Sequence, residues 1–350
     1  MVRKSATTAA PSPQLAVASA PASAMSAPSS VKSIRRDPLL VEHYIPRVPL
    51  QLVAISFALL APLDKGDGSQ SRPERFLTAL VENPVKTISV SSALVAVVQV
   101  WFGYWARSCR LRALREEEDR KYGRSGAGTE RAQARPPRRG LFATMRYIWS
   151  NQLRPFGSGP QMRRPDDGRP SVKLDTSFLP QTLLVTLVGA AAFHAVAVLL
   201  GASFVHNASL TAMLSLFLSL LTITPLSIAI PPRDSDANRY TWLRLSSTLR
   251  PANDLELALF APALGAIIGC WSGAFPIPLD WDRPWQRYPT TSVLGAVAGH
   301  AIGSIVSLLT VSYRAAVRTA SEALEDVKRK ERETSSKAVP AAAKGKGKSR

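Results

Sequence analysis

Six apolar runs, each bounded by polar or charged residues, divide this chain. The first, VPLQLVAISFALLAPL at 48–63, is the shortest. At about 1.5 Å per residue it reaches about 24 Å, against a hydrocarbon core of roughly 30 Å, so it is a marginal span. PVKTISVSSALVAVVQVWFGYWA at 84–106 opens on a proline, whose missing N–H costs nothing at a helix start. It closes on Trp101, Phe102, Tyr104 and Trp105, an interfacial aromatic belt. Four further runs, 178–201, 209–230, 255–275 and 291–311, are long enough to cross a bilayer. The pattern predicts an all-α polytopic membrane protein with six transmembrane helices.

The segments between the runs set the domain boundaries. Residues 1–43 are rich in Ala, Ser and Pro without periodicity and read as a disordered N-terminal tail. Pro11, Pro13 and Pro21 interrupt any apolar core there, so no cleaved signal peptide is expected and the first span directs insertion. A two-span hairpin (44–106) precedes a basic loop (107–176), which carries a charged helix around LRALREEEDRKYG. A four-span core (177–312) and a basic, helix-like tail (313–350) complete the chain.

Charge orients this arrangement. The 350 residues are 46% hydrophobic with a net charge of +19. The basic residues fall between apolar spans rather than in an aromatic-basic recognition module, which argues against nucleic-acid binding. Of the 44 Lys+Arg, 38 lie in the two tails and the second and fourth loops, against 5 in the first, third and fifth loops. Discounting the long second loop still leaves 21 against 5. The positive-inside rule then places both termini in the cytosol and the fifth loop in the lumen or exterior. The end of the tail, KGKSR, puts Lys346 and Lys348 where a dilysine endoplasmic-reticulum retrieval signal has its lysines.

Candidate chemistry concentrates in the fifth loop, AFPIPLDWDRPWQRYP at 274–289. On either side of it, Gly265, Gly269 and Gly273, then Gly295, Gly299 and Gly303, recur every four residues. Each trio forms a side-chain-free strip on its helix, which predicts a glycine-packed antiparallel hairpin of the last two spans. Pro276, Pro278, Pro284 and Pro289 restrict the loop, and Trp281 and Trp285 are placed to lie at headgroup level. Asp280 and Asp282 could hold a divalent metal for phosphoryl or glycosyl transfer. Alternatively, Asp282 pairs with the adjacent Arg283 in a loop that docks a partner.

Little else points to catalysis. His43, His194, His206 and His300 are scattered without ligand spacing, and hydrogen bonding to a neighbouring helix is the expected role of His194 and His300. HExxH, GxSxG and Walker motifs are absent from the sequence, and no metal, cofactor or catalytic residue is assigned. Cys109 and Cys270 are too differently placed to predict a disulfide. The sequon at Asn207 sits too close to the bilayer to be used. Pro225 and Pro262 shape their spans, with Thr222 and Thr224 available to satisfy freed carbonyls. The paired broken helices of a lipid transporter with internal repeats are not seen.

The stretch GAFPIPLDWDRPWQRYPTTSVLGAVAGHAIG resembles the PIG-F family of glycosylphosphatidylinositol (GPI) anchor assembly. The residues that carry the resemblance are Gly273, Phe275, Pro276, Pro278, Leu279, Asp280, Trp281, Asp282, Pro284, Trp285, Gln286 and Gly295. It extends more loosely over 178–312, agrees only in type for the first two spans, and leaves out the tails and the long basic loop. The resemblance implies a noncatalytic endoplasmic-reticulum subunit that binds and stabilises the transferases adding ethanolamine phosphate to GPI precursors. Its implied partners are those catalytic subunits and membrane lipids, GPI precursor among them. Phe275, Pro276, Pro278, Asp280, Trp281, Asp282, Pro284 and Trp285 would then form a partner-binding or structural loop. A membrane transferase using Asp280 and Asp282, or a lipid transporter, are the alternatives.

Overall fold

The structure, a computed structural model, describes residues 39, 41–60, 72–121, 178–203, 205–279 and 283–345. Among these residues every regular element is helical. Six helical segments are long and apolar enough to cross a membrane: Val41–Leu60, Pro84–Glu117, Phe178–Leu199, Ala208–Ala229, Asp254–Ser272 and Thr290–Thr334.

The first of these is longer than its apolar run. A short α1 (Val41–Tyr44) precedes α2 (Arg47–Leu60). The turn between them contains Pro46, which has no N–H to continue the helical ladder. The helix α4 (Pro84–Lys121) does not end at Ala106. Beyond Arg107 it runs through Arg, Leu, Ala and Glu, all good helix formers, and meets no glycine or proline to stop it. Likewise α9 (Thr290–Gly345) continues from the sixth apolar run into the charged tail as one 56-residue helix. At 106/107 and 312/313 the composition changes but the backbone does not.

Two short helices lie where the apolar pattern shows only loops. In the first loop, α3 (Arg72–Glu82) ends at Asn83 and packs on α4, with Thr87 Oγ1 donating to the Ala79 carbonyl at 2.9 Å. After α5 (Phe178–Leu199) and α6 (Ala208–Ala229), the fourth loop folds into α7 (Asp236–Thr248). Ser235 caps α7, its hydroxyl accepting from Asn238 N at 3.2 Å. Leu249 ends it in the left-handed region at φ 54°. α8 (Asp254–Ser272) then begins under the cap of Asn253, whose side chain accepts from Glu256 N at 2.8 Å.

α6 is the centre of the bundle and packs against α4, α5 and α8, with 78% of its apolar window buried; only 11% of α5's window is buried. Lipid is as apolar as leucine, so helix association rests on close packing and polar contacts rather than on hydrophobic burial. Both are present along α6. A Cβ on Gly103 of α4 would come within 3.1 Å of Pro225 Cα, so α4 closes against α6 at its proline. On the other side Gly189 of α5 faces Ser219 and Ile223, while Ser219 Oγ donates to the Thr186 carbonyl at 2.7 Å. Thr222 Oγ1 donates to the Leu218 carbonyl and Thr224 Oγ1 contacts Thr186 Oγ1 at 3.0 Å. Gln51 Nε2 donates to Gln99 Oε1 at 3.1 Å, and Tyr44 OH meets Ser307 Oγ at 2.9 Å.

Two hydrophobic clusters fill the ends of the bundle. One gathers Tyr44, Phe102, Trp105, Leu245 and Leu255; the other Ile55, Leu80, Val95, Phe217 and Val293. The first is braced by ion pairs from α4 and α7: Arg107 with Asp234 at 3.4 Å and Arg244 with Glu256 at 2.5 Å. The second lies beneath the fifth loop.

Candidate functional site

The base of the fifth loop is the α8–α9 hairpin. The two helices run antiparallel in a register that sets Gly265 against Gly299, Gly269 against Gly295, Gly273 against Thr291 and Ser292, and Gly303 against Ala261 and Pro262. A Cβ on Gly299 would strike the Gly265 carbonyl oxygen and lie 2.8 Å from its carbonyl carbon and 3.0 Å from Gly269 Cα. At all six glycines the obstacle is backbone, so no rotamer change relieves it. Glycine faces glycine at two levels, and the strips end against Thr291 and Ala261.

From this base the chain leaves α8 in a series of tight turns. Phe275 N bonds the Ser272 carbonyl at 3.2 Å, Ile277 N that of Ala274 at 3.1 Å and Leu279 N that of Pro276 at 3.2 Å. Four prolines leave the loop short of N–H donors, so carbonyls outnumber the groups that could satisfy them. Gln286 makes up the difference. Its Nε2 donates to the Pro276 carbonyl at 2.8 Å and the Leu279 carbonyl at 2.9 Å, and its Oε1 accepts from Arg283 N at 2.9 Å. The side chain is buried at the centre of the loop, on a 3-10 turn of Pro284–Gln286. A carboxamide supplies two donors and an acceptor at once, which no other neutral side chain of this size does.

Tyr288 anchors the far side. Burial pushes its phenol pKa up, and its hydroxyl donates to Thr211 Oγ1 of α6 at 3.1 Å. α3 also touches the 3-10 turn, so the loop, α3 and the start of α6 form one surface at this end of the bundle. Phe275 is 56% exposed and meets Trp271 edge-on at 4.7 Å between ring centroids. Pro278 and Pro284 are exposed, while Pro276 and Trp285 are partly covered.

Asp280, Trp281 and Asp282 lie outside the described residues, as do Lys346 and Lys348, residues 1–38 and most of the basic loop. Gln286 and Trp271 were not singled out as site residues by the pattern. The signal for Gln286 was its place in a proline-rich, donor-poor loop; for Trp271 it was the four-residue spacing to Phe275. Among the described residues no three His, Cys, Asp or Glu side chains gather as a metal site. Cys109 and Cys270 are free thiols. His300 is fully buried against the Pro262 backbone of the neighbouring helix, with neither ring nitrogen in a close hydrogen bond. His194 Nδ1 is likewise without a partner.

Six apolar helices and a turn-rich loop seated on backbone-to-backbone packing define a polytopic membrane protein whose distinctive surface is that loop. The family model described as "GPI biosynthesis protein family Pig-F" matches residues 71–308, and the chain belongs to this PIG-F family. The match begins in the first loop, so it takes in the second span and runs across the basic loop that the resemblance left out.

A Pyricularia oryzae protein named glycosylphosphatidylinositol anchor biosynthesis protein 11 is 40% identical over 173 residues, covering 47% of this chain and 61% of that protein. A human protein named GPI ethanolamine phosphate transferase, stabilizing subunit, is 34% identical over 138 residues, covering 39% and 60%. A Schizosaccharomyces pombe PIGF/3-ketodihydrosphingosine reductase fusion protein is 38% identical over 120 residues, covering 34% and 23%. In each case the chain spans less than two thirds of the relative's length. No solved structure matches.

Proposed function

We propose that this chain is a noncatalytic membrane subunit that binds and stabilises the transferase adding ethanolamine phosphate to GPI-anchor precursors in the endoplasmic reticulum. The observation that carries this reading is the Gln286-clamped loop in a chain whose human relative is named as the stabilizing subunit of that transferase. The loop is built to keep its shape: its Pro276 and Leu279 carbonyls are satisfied from within by Gln286, its base is backbone on backbone, and Phe275 and Pro278 are exposed toward a partner. Such a surface suits recognition better than bond cleavage.

In this reading both termini and the basic segments are cytosolic, and the 276–289 loop is lumenal, as the distribution of Lys and Arg favours. The six glycines fix the hairpin; Phe275, Pro276, Pro278, Trp281, Pro284 and Trp285 present the docking surface; Asp280 and Asp282 shape it by charge. Catalytic transferase subunits are the protein partners, and the bilayer, GPI precursor included, surrounds the spans. The test is purification of the tagged chain in mild detergent. An ethanolamine-phosphate transferase should co-purify, and its abundance should fall when the chain is depleted. Ethanolamine-phosphate transfer by the chain alone would replace this reading with the transferase one.

A further inference from the structure

Past the sixth apolar run α9 is highly charged, yet it carries an apolar stripe of its own. Tyr313, Val317, Ala320, Leu324 and Val327 follow in steps of four, three, four and three, a mean of about 3.5 residues. That spacing keeps all five on one side of the helix, which a merely solvated helix has no reason to do. Tyr313, Val317, Leu324 and Val327 are 48–71% exposed, and Ala320 is exposed with them. Glu331, the next position in the series, ends the stripe, so it runs for about 21 Å. Lone apolar residues on a surface are ordinary, whereas five in coiled-coil register form a seam for a second helix.

The charges beside the seam decide what fits it. In the same register Lys328 and Lys330 take the flanking positions at its outer end, while Ala316, Ser321 and Ala323 keep the flanks small nearer the span. Arg314, the remaining flanking residue, donates to Asp254 Oδ1 of α8 at 3.1 Å. The acids stand elsewhere. Glu322, Asp326 and Glu333 share the opposite face, where Arg329 lies 3.1 Å from Asp326 and 4.0 Å from Glu333. A helix laid along the seam therefore meets only cations at its flanks. A second copy of this chain would bring the same cations and no acid to meet them. A bilayer surface is disfavoured by direction: between Ser304 and Val339 the helix contains no glycine or proline at which to bend down onto headgroups.

We propose that the seam from Tyr313 to Val327 docks an amphipathic helix of a partner protein whose flanking positions are acidic, the two forming a short two-stranded coiled coil. The span below holds α9 helical, so the partner pairs with a preformed half and the nucleation step that makes short helices marginal in water is already complete. Acid set against Lys328 and Lys330 fixes both the register and the choice of partner. The proposal rests on α9 and not on the transferase reading, so either can fail alone.

The full-length chain in non-ionic detergent is titrated into a fluorescently labelled synthetic helix that carries isoleucine and leucine along its seam and glutamate at its flanking positions. A control helix has lysine at those positions, and binding is read by anisotropy. The glutamate helix should bind about tenfold tighter, and added salt should narrow the difference. The double change Leu324→Gln, Val327→Gln keeps α9 helical, because glutamine is a good helix former and both positions are exposed. It should weaken binding of the glutamate helix about tenfold with the melting temperature unchanged. Lys328→Glu together with Lys330→Glu should reverse the preference, a result that unfolding of the tail could not give. Equal binding of the two helices by the unaltered chain would overturn the proposal, as would a preference that survives the lysine exchange or binding that survives the loss of Leu324 and Val327. A dimer in native mass spectrometry that the Leu324→Gln, Val327→Gln change dissolves would assign the seam to a second copy instead. Loss of peptide binding on reconstitution into phosphatidylserine vesicles, but not phosphatidylcholine ones, would assign it to the bilayer surface.

Discussion

The carbonyl oxygen of Gly265 occupies the place that a side chain on Gly299 would need. Two helices in such contact cannot admit even a methyl group without moving apart, because what stands in the way is main chain. Gly299→Ala should therefore already lower the melting temperature of the detergent-solubilised protein, and Gly299→Leu should lower it further. Overpacking of a tight contact costs about 1–3 kcal/mol, and the backbone obstacle places leucine at the upper end. Recovery of the co-purifying transferase should fall in the same order. A leucine variant with unaltered melting temperature and partner recovery would show that the hairpin tolerates separation.

Gln286→Glu tests the loop independently of its base. The change keeps size and one acceptor but removes both N–H donors, leaving the Leu279 carbonyl without its partner and the Pro276 carbonyl with only the Leu279 N–H, and setting a carboxylate against them. Stranding buried acceptors costs about 1–3 kcal/mol, and here the cost falls on the loop rather than the spans. The expected result is a chain that still inserts but whose 274–289 segment is cut faster by protease in detergent, with reduced transferase recovery. Gln286→Ala should behave similarly, because it loses the same donors without adding charge. Partner recovery equal to that of the unaltered chain in both variants would remove the loop from the docking surface.

How far the sequence carries is clear from particular elements. The six spans are legible because about twenty apolar residues in lipid have one stable arrangement, the helix. The ends of α4 and α9 are not: apolarity marks where the membrane stops, whereas a helix runs on into charged sequence as long as that sequence is made of good helix formers. α3 and α7 are missed because they are short and polar overall, without the length or apolarity that marks a span. The glycine strips are visible as a four-residue repeat, but their register, with Gly273 against Thr291 and Gly303 against Ala261, depends on the length of the loop. Gln286 carries the resemblance but its role is not legible, because it satisfies carbonyls brought together only by folding. Tyr44 and Ser307, 263 residues apart, make a bond that no local pattern contains.

The proposed orientation rests on the placement of Lys and Arg and can be checked directly. Tags at both termini should be digested by protease added to sealed microsomes, and a tag inserted between Pro278 and Leu279 should be protected until detergent is added. Cleavage of the inserted tag in intact microsomes would invert the topology and move the loop to the cytosolic face.

The last prediction separates docking from chemistry at Asp280 and Asp282. Asn is nearly isosteric with Asp, so the double change Asp280→Asn and Asp282→Asn removes two negative charges with little change of shape. A metal-dependent transfer site depends on those charges, because a hard divalent cation is held by carboxylate oxygen far better than by a carboxamide. A docking surface depends on them only in part, since exposed ion pairs contribute at most about 1 kcal/mol each. With partner recovery and ethanolamine-phosphate transfer measured on the same preparations, transfer by the double variant should fall only in proportion to the transferase it still retains. The opposite pattern, full recovery of the transferase with transfer lost, would place essential carboxylates on this chain and make it part of the catalytic site.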